Sequence, residues 1–124
     1  MISHSEARAL VERQARAWEA EDYPAMTADF APDGVFISPG GRWQGHGQIR
    51  SAAEAFFAVS HSVRIAIGRV VWDGERMGAC EWTWQETRRA DGKILRAEDA
   101  IVFELDDAGK IVYWREYFDT AQMT

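Results

Sequence analysis

The stretch Ile94–Asp119, ILRAEDAIVFELDDAGKIVYWREYFD, decides the fold. Two runs of alternating side chains flank Asp106-Asp107-Ala108-Gly109, a turn signal. Successive side chains of a strand point to opposite faces. In the first run Ala97, Asp99, Ile101, Phe103 and Leu105 share a face. In the second, Val112, Trp114, Glu116 and Phe118 share one face, and Ile111, Tyr113, Arg115, Tyr117 and Asp119 the other. Each of the two apolar faces therefore carries one carboxyl group, Asp99 or Glu116. An acid on an apolar face is costly unless it is paired, protonated or solvated in a cavity. Two of them on adjacent strands point to a pocket with chemistry or selective binding in it.

Working outward, Val63, Ile65 and Ile67 alternate with Arg64, Ala66 and Gly68, and the strand continues to Trp72. Asp73-Gly74 turns the chain. Met77–Thr87 follows with Cys80, Trp82, Trp84 and Glu86 on one face, and Ala90-Asp91-Gly92-Lys93 turns again. Four long strands joined by short Asp/Gly turns read as an antiparallel meander. The half before them has helical periods. Ser3-His4-Ser5-Glu6 has capping-box spacing, and a helix to about Glu21 buries Ala7, Leu10, Val11, Ala17 and Trp18. Gln14 lies inside that stripe, so its amide must find a partner or face a cavity. Asp22 caps a short helix with Pro24 in its first turn, ending near Phe30. Val35–Ser38 is a short strand, Pro39-Gly40-Gly41 a turn and Arg42–Gln44 its return. Gly45-His46-Gly47 leads into a third helix that buries Ile49, Ala52, Ala53, Phe56 and Phe57. The expectation is one α+β domain over residues 1–124, with a curved antiparallel sheet wrapped on three N-terminal helices. Gln14, Trp18, Asp99 and Glu116 would meet in the cavity between the layers.

A chain of 124 residues, 47% of them hydrophobic, can bury a core as a single domain. Six Trp and six Phe are enough to build a core and an apolar cavity. Fourteen basic against 20 acidic residues give a net charge of -6, which argues against nucleic acid or an anionic membrane as partner. The one cysteine, Cys80, fits a reducing compartment. The first residues carry no basic and apolar leader, and no stretch approaches about 20 apolar residues. A cytoplasmic location is expected. His4, His46 and His61 lack ligand spacing, so no metal and no cofactor is expected.

Phe30-Ala31-Pro32-Asp33-Gly34-Val35-Phe36, Gly45-His46-Gly47-Gln48-Ile49, Gly109-Lys110-Ile111 and Tyr117-Phe118-Asp119 resemble the nuclear transport factor 2-like superfamily, and within it the SnoaL-like proteins. The resemblance spans nearly the whole chain. It implies a cone, a strongly curved sheet wrapped on helices with a pocket at the open end, the cystatin-like roll. Members include ketosteroid isomerase, polyketide cyclases, limonene epoxide hydrolase, dehydratases and non-enzymatic binding domains, and fold alone does not choose among them. Ketosteroid isomerase uses a Tyr on the first helix, an Asp base after the first short strand and a protonated Asp on a late strand. At the matching positions this chain has Gln14, Ser38 and Asp99. Ser38 does not abstract a proton unaided near neutral pH, which speaks against steroid isomerisation by that route. The epoxide hydrolase pattern places an Arg two residues before the late-strand Asp; here that residue is Ala97.

The candidate catalytic residues are therefore Asp99 and Glu116, two carboxyls able to share a proton. Candidate ligand contacts are Gln14, Trp18, Ser38, Trp43, Trp84, Trp114 and Phe118. For Gln14 a backbone partner in the core is an equally open reading, and for the Trp residues so is core stacking. His46 reads as a base or as a loop residue. Two functions fit: a cofactor-independent isomerase, cyclase, dehydratase or hydrolase on an apolar oxygenated substrate, or a non-catalytic binding or dimerisation module with the same pocket. The outer sheet face, with Ala100, Val102, Ile111, Tyr113 and Tyr117, is expected to pair with a second copy.

Overall fold

A computed structural model of the protein describes residues 2–124. Helix α1 runs His4–Glu19. Ser3 and Glu6 form the capping box, each side chain accepting the other's backbone N–H, at 3.1 and 3.3 Å. The helix stops two residues earlier than its period implies, because Glu21 turns into the left-handed region at φ 54°. Helix α2 is Tyr23–Ala28, capped by the Asp22 carboxylate on Ala25 N–H at 3.1 Å. Strand β1 (Phe30–Ser38), β2 (Gly41–Gln44) and α3 (Gly45–Val59) follow. The meander comprises β3 (Ser60–Trp72), β4 (Met77–Arg88), β5 (Ile94–Leu105) and β6 (Ile111–Phe118), and a 3₁₀ turn over Thr120–Met123 ends the chain.

The six strands lie in the order β2-β1-β6-β5-β4-β3. From β3 to β6 every pairing is antiparallel. The sheet as a whole is mixed, which corrects the antiparallel expectation: β1 lies parallel to β6, with Phe36 beside Trp114. Parallel neighbours need a long crossover, and everything from β2 to β5 supplies it here. Helix α1 packs on β3 and α3 on β1, both against the concave face, so the result is an α+β cone. Among the described residues no helix is long and apolar enough to cross a membrane.

One parity assignment also changes. Glu104 pairs with Tyr113, but Leu105 pairs with Ile111, leaving Val112 as an extra residue. Such a bulge reverses the facing of what precedes it. Ile111 therefore turns inward and is fully buried instead of joining the outer face. Beyond the bulge Trp114, Glu116 and Phe118 face the cone interior as their alternation implies.

The core centres on Phe103, fully buried and stacked between Trp72 at 6.2 Å and Trp114 at 5.7 Å. Gly78 pairs with Phe103 across the ladder, and a β-carbon there would overlap the Phe103 ring. The bare backbone is what lets the ring lie flat across the strand. Gly78→Ala is expected to lower stability by about 1–3 kcal/mol through overpacking, read from urea denaturation at constant m-value. An unchanged midpoint would show that the ring has room to move.

Candidate active site

Across the β5–β6 ladder Asp99 stands opposite Phe118, and Glu116 opposite Ile101. The two acids are thus diagonal neighbours on one face, within side-chain reach. Their carboxyls are close enough for each to affect the other's protonation. Trp114 Nε1 donates to Glu116 Oε2 at 3.0 Å. Glu116 is half-buried and lines two depressions of the surface. Asp99 is 5% exposed.

Burial pushes the Glu116 carboxyl well above the ordinary carboxylate range, and the hydrogen bond and charge of Asp99 push it further; the Trp114 N–H opposes them. Burial also raises Asp99, against the stabilising contacts from Glu116 and the Trp82 indole. The Trp82 contact is not a formed hydrogen bond. Trp82 Nε1 and Asp99 Oδ1 are the two buried side-chain polar atoms left without a partner among the described residues. The two carboxyls thus titrate as a pair, with Glu116 the one held more strongly in its protonated form, and Asp99 Oδ1 has no hydrogen-bond partner. Behind it the Cys80 thiol is pushed up to about 12, first by burial and then by the charges of Glu116 and Asp99, so it is no nucleophile.

The pair opens into a cavity of about 330 Å³ between the sheet and α1 and α3. Trp18, Trp43, Trp84, Phe118 and Ser38 line it together with both acids. Trp18 and Trp84 meet edge to face at 5.9 Å, and Phe56 closes the group at 6.0 and 5.5 Å. A second, wider depression of about 510 Å³ lies on the other side of Glu116, near Arg115 and Asp119. Its lining has no tryptophan, whereas the first depression carries Trp18, Trp43 and Trp84. The Ser38 hydroxyl accepts from Gly40 N–H at 3.1 Å, which shapes the turn.

Two expected contacts fall outside this cavity. The buried Gln14 amide donates to the Met26 carbonyl at 3.1 Å and reaches Asp29 Oδ2 at 3.5 Å. It satisfies the end of α2, whose carbonyl would otherwise be orphaned, and does not meet the acids. Trp114 is 2% exposed behind the cavity wall, stacked on Phe103, and touches the site only through Glu116. His46 is likewise engaged elsewhere, its Nε2 lying 2.8 Å from the Phe30 carbonyl.

One lining residue went unnoticed as a site residue. Glu86, 7% exposed, accepts from Ser60 Oγ at 2.6 Å and Trp84 Nε1 at 2.9 Å and lines the same cavity. The signal was available: Glu86 shares an apolar face with Cys80, Trp82 and Trp84, as Asp99 does with its neighbours. Also unforeseen is the 3₁₀ turn that lays Met123 against the cavity. Among the described residues no three His, Cys, Asp or Glu side chains gather as metal ligands.

The chain thus combines an α+β cone with an aromatic cavity lined by buried acids. The chain belongs to the SnoaL-like domain family, whose pattern matches residues 11–114. No curated protein matches it. Among solved structures it is similar to an LEH-like epoxide hydrolase from M. tuberculosis, with 26% identity and a TM-score of 0.80 over 97% of this chain and 87% of that one. It is also similar to a protein of Pseudomonas putida provisionally described as a polyketide cyclase, with 25% identity and a TM-score of 0.82 over 94% of each. An NTF2-like protein of unknown function from Burkholderia pseudomallei, 22% identical, superposes with a TM-score of 0.84 over 94% and 93%.

Because Glu116 holds its proton more tightly folded than unfolded, the native state binds more protons above the ordinary Glu value of 4.5. Stability then falls as pH rises through that value and levels off once the raised native value is passed. The slope approaches about 1.4 kcal/mol per pH unit for one proton. Glu116→Gln is expected to flatten this fall, measured as unfolding free energy at a series of pH values. Parallel curves for both proteins would contradict the raised Glu116 carboxyl.

Proposed function

We propose that the protein is a cofactor-independent acid–base enzyme acting on a small, largely apolar, oxygenated molecule held in the aromatic cavity. The observation that carries this reading is the open Asp99 Oδ1 beside a carboxyl that keeps its proton. Asp99 accepts a proton from carbon next to a carbonyl, and protonated Glu116 donates to the oxygen on which charge develops. A shared proton keeps one acid and one base ready near neutrality, which paired ordinary carboxylates do not. Trp18, Trp43, Trp84 and Phe118 hold the apolar body and exclude water. Such proton transfer underlies isomerisation, cyclisation and dehydration.

The protein is expected to speed exchange of α-hydrogens of small cyclic ketones and enones in D₂O, followed by NMR. Asp99→Asn should slow that exchange by about 10²–10⁴-fold, the usual weight of general acid–base catalysis. A second reading, a binding module, draws on Ser38 at the isomerase base position with its hydroxyl bound into the turn. Tight ketone binding without exchange, unchanged by Asp99→Asn, would establish that reading.

We also infer that the convex sheet face pairs with a second copy. Val71 (59% exposed), Met77 (47%) and Tyr117 (48%) stand there with Ala100 and Val102, and no helix packs over them. Light scattering at tens of micromolar, a working concentration for weak association, should give the dimer mass, and Tyr117→Lys should shift it toward monomer. A monomer mass for the wild type removes the pairing.

A further inference from the structure

Glu86 has no part in the acid–base pair, yet it is a buried acid in the same cavity. It pairs across the ladder with Leu95, and Asp99 lies four residues further along β5. At the rise of a strand that places the two positions about 13 Å apart along the sheet. Val59, 60% exposed, lines the cavity beside Ser60, so the Glu86 end meets solvent. The carboxyl is held in place from two sides by Ser60 Oγ and Trp84 Nε1. Both contacts are neutral donors. Arg88, whose charge reaches Glu86, turns away to hold Asp91 with hydrogen bonds of 3.1 and 3.0 Å.

Among the described residues lining the cavity none is Lys, Arg or His, while three are acids. A buried carboxylate is costly without a cation opposite it. At the far end of the cavity lining, Asp99 Oδ1 is a buried acceptor without a partner, a place for the polar end of a guest. The wall around Glu86 is aromatic: Trp84 donates to it, and Trp18 and Phe56 pack on Trp84. Aromatic surfaces with a nearby carboxylate attract cations and repel anions.

We propose that Glu86 is a specificity-determining residue that takes the protonated amine of the substrate, whose oxygenated end reaches Asp99 and Glu116. This rests on the reading of the cavity as a small-molecule site and adds the substrate's charge. The molecule is an elongated apolar amine carrying a carbonyl, with the ammonium at the solvent end. Ser60 and Trp84 are positioning residues that aim the carboxylate.

The test uses three probes of one skeleton: 4-phenylbutylamine, 4-phenylbutan-1-ol and 4-phenylbutanoate, titrated calorimetrically into the full chain at neutral pH. The amine should bind at least about tenfold more tightly than the alcohol, in line with charged hydrogen bonds, and the carboxylate most weakly. Glu86→Gln, which keeps both hydrogen-bonding neighbours, should remove most of the amine's advantage and leave the alcohol within about threefold. Equal affinity of amine and alcohol for the wild type, which needs no variant, overturns the assignment while leaving the small-molecule reading standing. So does a preference that survives Glu86→Gln and disappears in Asp99→Asn, because the cation would then sit at the acid pair. No binding by any probe overturns the amine anchor as well, and the ketone exchange experiment then decides the acid–base reading alone.

Discussion

The register of β5 against β6 is the constraint on which the rest depends. It sets Phe103 against Trp114, two pairs further on Ile101 against Glu116, and two beyond that Asp99 against Phe118. The same ladder therefore builds the core at one end and the acid pair at the other. A slip of one residue would turn Phe103 and Asp99 outward together. The stacked rings of Trp72, Phe103 and Trp114 make such a slip expensive, since each large aromatic buries much apolar surface. Trp114 joins the two ends. Its ring belongs to the core, and its N–H fixes the Glu116 carboxyl.

Two acids in so apolar a place lower stability, and the structure reduces that cost without abolishing it. Burial favours the uncharged form of Glu116, and the Trp114 N–H satisfies one of its oxygens. Glu86 is satisfied by a hydroxyl and an indole. What stays unsatisfied is Asp99 Oδ1, a buried atom of a residue that lines the cavity. Cores that only need stability satisfy or avoid such groups. The leftover acceptor is the physical ground for assigning chemistry to this end of the cone, and the surplus of acids over bases is the ground for assigning charge to its guest.

Family membership narrows the fold much more than the activity. The neighbours range from an LEH-like epoxide hydrolase to a provisional polyketide cyclase on nearly the same backbone. Three local features of this chain bear on its activity: Ser38 tied into its turn, Ala97 two residues before Asp99, and Glu86 facing the same hollow as Asp99.

The amino-acid sequence alone determined the helices with their caps, the antiparallel meander and the inward facing of Asp99 and Glu116, because period and turn chemistry are local properties. It also carried the sign for Glu86, through the same alternation. The tertiary structure decided the parallel join of β1 to β6, since nothing in a short strand names its distant neighbour. It decided the facing of Ile111, because a bulge at Val112 is set by the partner strand. It decided Gln14 as well. The end of α2 came within 3.1 Å of that amide and claimed it, and which buried donor meets which acceptor depends on how whole elements pack, not on their spacing along the chain.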